Sequence, residues 1–109
     1  MSTLSTHVLD TATGKPARGI PVTLERDGAV LASGVTDDDG RVRELLPGGK
    51  ESGAGSYRLT FAVAEYFARA GRDAFFQEIV VQFTIGAGAE HYHVPLLLSP
   101  FGYTTYRGS

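Results

Sequence analysis

A chain of 109 residues falls within the roughly 100–150-residue range where natural domains are most common, so residues 1–109 are expected to form a single domain. Ten Lys and Arg against 12 Asp and Glu leave a net charge of -2, and the basic residues are scattered, which argues against nucleic acid or an anionic membrane as partner. The absence of Cys excludes a disulfide framework, a thiolate nucleophile and any cysteine-based metal site, while 42% hydrophobic residues are ample for a core.

No apolar stretch approaches the ~18 residues of a membrane helix, and Met1–Ser5 opens without a signal-peptide core, so a cytoplasmic protein is expected. Turn signals punctuate the chain at Thr13-Gly14-Lys15-Pro16, Asp27-Gly28, Asp39-Gly40, Pro47-Gly48-Gly49, Gly53 to Gly55, Gly86 to Gly88 and Ser99-Pro100. Between them the residues alternate with period two, the pattern of half-buried strands. In the first strand Ser5, His7 and Leu9 share one face, opposite Leu4, Thr6 and Val8. Ile20, Val22 and Leu24 then alternate with Pro21, Thr23 and Glu25, and Tyr57, Leu59, Phe61 and Val63 with Arg58, Thr60 and Ala62. Ala62–Ala70 favours a helix, with Tyr66, Phe67 and Ala70 at helical spacing and Gly71 as its stop. Ile79, Val81, Phe83 and Ile85 form another alternating set. In the last, Tyr92, Val94, Leu96 and Leu98 lie opposite His91 and His93. About seven to eight short strands with one short helix predict an all-β fold, an antiparallel β-sandwich.

Chemistry concentrates on few residues. The face opposite the His91–His93 pair is apolar and claimed by the core, which leaves these two imidazoles free to line a cleft or an interface, while His7 lies on the Ser5–His7–Leu9 face of the first strand. A near-neutral imidazole can accept or give a proton at physiological pH, as hydrolysis of an unactivated bond requires. Three imidazoles also suit an open zinc site, but no carboxylate is placed as an obvious outer partner. Asp37-Asp38-Asp39 before Gly40 reads as a solvated turn, since a calcium loop would need further ligands downstream at defined spacing. Arg41 follows that turn, and its planar fork suits a urea, imide or carboxylate group. The C-terminal Tyr103–Ser109 carries two aromatics, which fits either a last edge strand or a segment that closes a site. No phosphate loop, nucleophile elbow or dinucleotide fingerprint is present.

Two stretches carry a resemblance. One is Ser5-Thr6-His7-Val8-Leu9-Asp10-Thr11 followed by Gly14-Lys15-Pro16-Ala17. The other is His91-Tyr92-His93-Val94-Pro95-Leu96-Leu97-Leu98-Ser99-Pro100, running on through Phe101-Gly102-Tyr103-Thr104-Thr105 to Tyr106-Arg107-Gly108-Ser109. With Thr36 to Arg41 and Tyr57–Phe67 between them, the chain resembles the 5-hydroxyisourate hydrolase family, the transthyretin-related enzymes of purine breakdown, over essentially its whole length. The closing Tyr-Arg-Gly-Ser is the feature that separates these hydrolases from the hormone-carrying transthyretins.

The resemblance implies a transthyretin-like sandwich that opens the six-membered ring of 5-hydroxyisourate with water, giving 2-oxo-4-hydroxy-4-carboxy-5-ureidoimidazoline (OHCU). It implies His7, Arg41 and His93 as catalytic residues and His7, Arg41, Tyr106 and Ser109 as substrate contacts, with no cofactor and no metal. Arg107 and Gly108 would shape the pocket, and His91 would support. A homotetramer with its sites at the dimer–dimer interface is implied as well. Gln77 departs from the family, which often has Pro there. The competing reading is a non-catalytic transthyretin-like carrier of a small aromatic ligand, and the intact set of His7, Arg41, His93 and Tyr106 argues against it. A zinc hydrolase built on the three His and a structural adhesion sandwich are further readings, the last giving no reason for the Tyr-Arg-Gly-Ser ending.

Overall fold

Residues 2–46 and 53–109 are described by a computed structural model, and the turn expected at Pro47-Gly48-Gly49 lies outside them. The strands are β1 (Thr3–Asp10), β2 (Lys15–Pro16), β3 (Pro21–Arg26), β4 (Ala29–Val35), β5 (Arg41–Val42), β6 (Gly55–Ala62), β7 (Glu78–Ile85), β8 (His91–Ser99) and β9 (Gly102–Thr105). The short helix α1 (Ala64–Arg69) joins β6 to β7. One sheet runs β2-β1-β8-β9 with β5 also beside β1, and the other runs β4-β3-β6-β7. Both β2 and β5 are only two residues long, too short for alternation to reveal, and they bring the described strands to nine rather than seven to eight.

The alternating apolar residues meet in one core. Leu4, Val8, Leu96 and Leu98 from the first sheet and Val22, Leu24, Leu59 and Phe61 from the second are all fully buried. Burial of this kind, at roughly 25 cal/mol per Å² of apolar surface, is the main force holding the two layers together. No helix among the described residues is long and apolar enough to cross a membrane.

One pairing corrects the expected antiparallel arrangement. Strands β1 and β8 run parallel, in register from Thr3 opposite His91 to Asp10 opposite Leu98. A hairpin forces antiparallel pairing, whereas a long connection leaves either direction open. Here the whole second sheet lies between β1 and β8 in sequence.

The helix is shorter than the Ala-rich stretch suggests. Ala62 still pairs with Glu78 in the β6–β7 ladder, and Val63 is fully buried, so the helix begins only at Ala64. Its start is held by Gln77, whose carbonyl accepts the N–H groups of Val63 and Ala64, both at 3.1 Å. Proline would offer the same carbonyl, so the Gln77 departure leaves this contact intact.

The end of β1 carries a buried ion pair. Asp10 is fully buried, and its carboxylate accepts Arg72 Nη1 at 2.6 Å, Arg72 Nη2 at 3.2 Å and the Tyr66 hydroxyl at 2.8 Å. The N–H groups of Ala12 and Thr13 complete its shell at 3.0 and 3.2 Å. This network ties helix α1 and the segment after it to the first sheet. Burial alone would raise the Asp10 pKa, but the Arg72 and Tyr66 hydrogen bonds outweigh it and hold the carboxyl below its ordinary value.

Candidate active site

The candidate site lies on the outer face of the β1–β8 sheet. Alternation in β1 sends Leu4, Thr6, Val8 and Asp10 inward and leaves Thr3, Ser5, His7 and Leu9 half-buried on the other side. Strand β8 does the same, burying Tyr92 and Val94 and leaving His91 and His93 outside. The parallel register then sets Ser5 beside His93. Strand β5, though minimal, sets Arg41 opposite His7. Three strands distant in sequence thus bring His7, Arg41 and His93 to one surface.

Arg41 is held there by the turn before it. Asp37 Oδ1 accepts the N–H groups of Asp39 at 2.9 Å and Arg41 at 3.0 Å, and the Asp37 carbonyl accepts Gly40 N–H at 2.9 Å. Gly40 has φ +74°, and its carbonyl accepts Val8 N–H at 2.7 Å. A Cβ at Gly40 would stand 2.5 Å from the Val8 carbonyl oxygen, so only glycine lets the turn lie against β1. The acidic triplet is therefore a turn, as expected, but a built one in which Asp37 positions Arg41.

The electrostatics favour neutral imidazoles. Burial lowers the His7 pKa and the Arg41 charge lowers it further, against a hydrogen bond to the Asp39 backbone and the charges of Asp39 and Asp37. For His93, burial again acts first, followed by the charges of Arg41, His7 and His91. Among the described residues the Arg41 guanidinium has no ion-pair partner, unlike those of Arg18, Arg43, Arg72 and Arg107. The arrangement is an unpaired cation beside two proton acceptors. For a hydrolysis in which one of these rings takes a proton, activity is expected to hold through neutral pH and to fall only below the ordinary imidazole value of about 6.5. A kcat/KM profile whose acid limb lies above that value would contradict the assignment.

The C-terminal segment closes one side. The register that pairs Leu96 with Thr105 extends to His93 opposite Gly108, whose N–H donates to the His93 carbonyl at 2.8 Å. A Cβ at Gly108 would lie 2.6 Å from His93 Cδ2, so the chain packs directly on the imidazole. Gly108→Ala is expected to displace the ring or the tail and to lower kcat/KM on the order of tenfold to a hundredfold, because small misplacements of reacting groups are costly. Steady-state rates beside wild type, at unchanged thermal stability, check this.

Tyr106, 55% exposed, borders a cleft of about 230 Å³ lined by His93, Thr105 and Arg107 and, from the core side, by Val81, Phe83, Tyr92 and Val94. Arg107 stacks over the Tyr92 ring at 4.6 Å and pairs with Glu90 at 3.1 Å. Ser109 is exposed and follows Gly108 directly. A wider hollow of about 860 Å³ is lined by the Asp37–Asp39 turn together with Arg18 and Arg69. Its arginines are already engaged, Arg18 with Asp38 at 2.9 Å and Arg69 with the Gly19 carbonyl at 3.3 Å.

The three-imidazole zinc reading finds no matching geometry. Among the described residues no three His, Asp or Glu side chains form a metal-holding group. Both His91 nitrogens are instead bonded, to the Thr3 and Ser5 hydroxyls. Those hydroxyls and Asp37 are the parts of the site that the sequence reading missed. A Ser or Thr on the same strand face as His7 was the available signal, but its partners depend on the β1–β8 register.

Residues 4–108 match the model of the HIUase/Transthyretin family. The chain belongs to this family. Its similarity to the 5-hydroxyisourate hydrolase of Salmonella typhimurium is 50% identity over 110 residues, covering 97% of this chain and 80% of that one. The solved structure of Klebsiella pneumoniae 5-hydroxyisourate hydrolase superimposes with a TM-score of 0.91 at 46% identity, covering all of both chains. Sea bream transthyretin, solved in complex with thyroxine, also superimposes, with a TM-score of 0.86 at 33% identity over 96% of this chain and 93% of that one. Both branches of the HIUase/Transthyretin family therefore share this sandwich, and the fold does not separate hydrolase from carrier.

Proposed function

We propose that this member of the HIUase/Transthyretin family hydrolyses 5-hydroxyisourate to OHCU. The observation that carries the reading is the half-buried Arg41, without an ion-pair partner among the described residues, beside His7 and His93, whose pKa values are both held below the ordinary imidazole value. The names of its nearly full-length relatives support the substrate.

In this reading water adds to the ring carbonyl while one of the two imidazoles takes its proton, and Arg41 stabilises the oxyanion that forms. Collapse breaks the carbonyl–nitrogen bond, and the imidazolium returns the proton to the leaving nitrogen. His7 and His93 titrate as a coupled pair, so the pH profile reports the pair rather than either ring. Tyr106 and Ser109 hold the substrate in place. The reaction is read as cofactor-free.

The enzyme is further proposed to act in the cytoplasm as a homotetramer with its sites at the dimer–dimer interface. What supports assembly is that Leu9 and Leu97, paired in the β1–β8 register, put apolar side chains on the same outer face as the imidazoles.

Rapid-mixing spectrophotometry of freshly generated 5-hydroxyisourate, in chelator-treated buffer, tests the activity. Decay faster than the spontaneous rate supports the hydrolase. Decay at the buffer rate, with folded protein present, moves the aromatic-ligand carrier to first place.

A further inference from the structure

Four side chains on the outer face make an unbroken chain of hydrogen bonds. Thr3 Oγ1 lies 2.5 Å from His91 Nδ1, His91 Nε2 lies 3.1 Å from Ser5 Oγ, and Ser5 Oγ lies 2.8 Å from His93 Nδ1. The chain follows from the register, because Thr3 is opposite His91 and Ser5 is opposite His93 on parallel strands. The two rings stack nearly flat, with centroids 6.5 Å apart and planes 17° apart.

A neutral imidazole has one N–H and one bare nitrogen, and a hydroxyl has a single proton. The protons along this chain can therefore run in one of two directions. If Thr3 donates to His91 and Ser5 donates to His93 Nδ1, then His93 carries its proton on Nε2 and Nδ1 is the bonded lone pair. If His93 Nδ1–H donates to Ser5, then Ser5 donates to His91 Nε2, and His91 Nδ1–H donates to Thr3. His93 Nε2 is then bare. Among the described residues no hydrogen bond reaches His93 Nε2, and the ring stands half-buried on the outer face of the sheet. The second direction also survives catalysis. When Nε2 takes a proton the Nδ1–H bond to Ser5 is unchanged, whereas the first direction would have to reverse every bond.

We propose that Ser5, backed by His91 and Thr3, is a positioning residue that holds His93 as its Nδ1–H tautomer and so presents Nε2 as the proton acceptor. The role in turnover rests on the hydrolase reading above, while the tautomer itself does not. It gives His91 its function as the acceptor that orients the Ser5 hydroxyl. Partners that orient a functional imidazole in this way are typically worth about tenfold to a hundredfold.

Nitrogen-15 NMR of the wild-type protein, at a pH where His93 is neutral, reads the tautomer directly. The expected spectrum has the proton on Nδ1, and a proton on Nε2 overturns the proposal even if no variant folds. Ser5→Ala is expected to mix the two tautomers and to lower kcat about tenfold with little change in KM. Ser5→Thr, which restores the hydroxyl, is expected to recover most of the loss. Unchanged turnover in Ser5→Ala overturns the positioning role. If the wild-type protein does not turn over 5-hydroxyisourate, the hydrolase reading fails, and the spectrum still decides the tautomer.

Discussion

Arg41→Ala is expected to lower kcat/KM by about 10²–10³, the usual cost of losing one preorganised donor to a developing oxyanion. The expectation rests on geometry. Arg41 stands opposite His7 in register, its backbone N–H is fixed by Asp37, and its guanidinium has no ion-pair partner among the described residues. With no such partner to strand, the substitution should leave thermal stability nearly unchanged. It also removes a positive charge that lowers both the His7 and His93 pKa values. The acid limb of the kcat/KM profile should therefore move up, toward the ordinary imidazole value, as the rate falls. Arg41→Lys keeps the charge but loses the planar fork, so it should restore the position of the limb better than the rate. Stopped-flow kinetics across pH check the rate, the limb and the Arg41→Lys comparison, and thermal denaturation checks the stability. A rate close to wild type in Arg41→Ala would remove Arg41 from the mechanism.

Asp10→Ala is expected to cost about 3–5 kcal/mol of stability, the range for breaking a buried ion pair by removing one partner. Two charge-assisted bonds from Arg72, one from Tyr66 and two from backbone N–H groups would be lost together. A domain of this size has only about 5–15 kcal/mol in total, so the thermal midpoint should drop on the order of 10–20 °C. The double substitution Asp10→Ala with Arg72→Met should cost less than the sum of the single ones, because no lone charge is left behind. Acid should act in the same direction. The folded pKa of Asp10 lies below its unfolded value of about 3.9, so its contribution is present above that pH and is lost as pH falls through the folded value. Chemical denaturation at neutral and acid pH measures both effects, and a loss under about 1 kcal/mol for Asp10→Ala would show that the network is not structural support.

How much of this molecule the residues announce depends on the range over which each feature is encoded. Alternation is a property of neighbours two apart, and it grouped Val22 with Leu24, Leu59 with Phe61 and Leu96 with Leu98 on apolar faces, with His91 and His93 opposite the last of these. That Leu4 faces inward and His7 outward is seen only in the packed sheet. The close of the chain left open a last edge strand or a segment that closes a site, and the structure shows β9 pairing with β8 at the end of the sheet, with Gly108 packed on His93. The helix boundary was less legible, because Ala62 has helical propensity but is kept in the sheet by its partner Glu78. The proposed site residues could be named from the sequence, but their geometry could not.

Three features of that geometry come from the tertiary structure alone. The parallel β1–β8 register sets Ser5 against His93, β5 sets Arg41 against His7, and the Asp10–Arg72 pair ties the helix to the sheet. Each joins residues far apart along the chain, with no local pattern to announce the meeting. A strand's own sequence determines which of its faces is buried, whereas packing of the whole core determines which strand lies beside it and in what register. The residue types of His7, Arg41 and His93 were therefore legible in the sequence, and the fold decided that the three would share one surface.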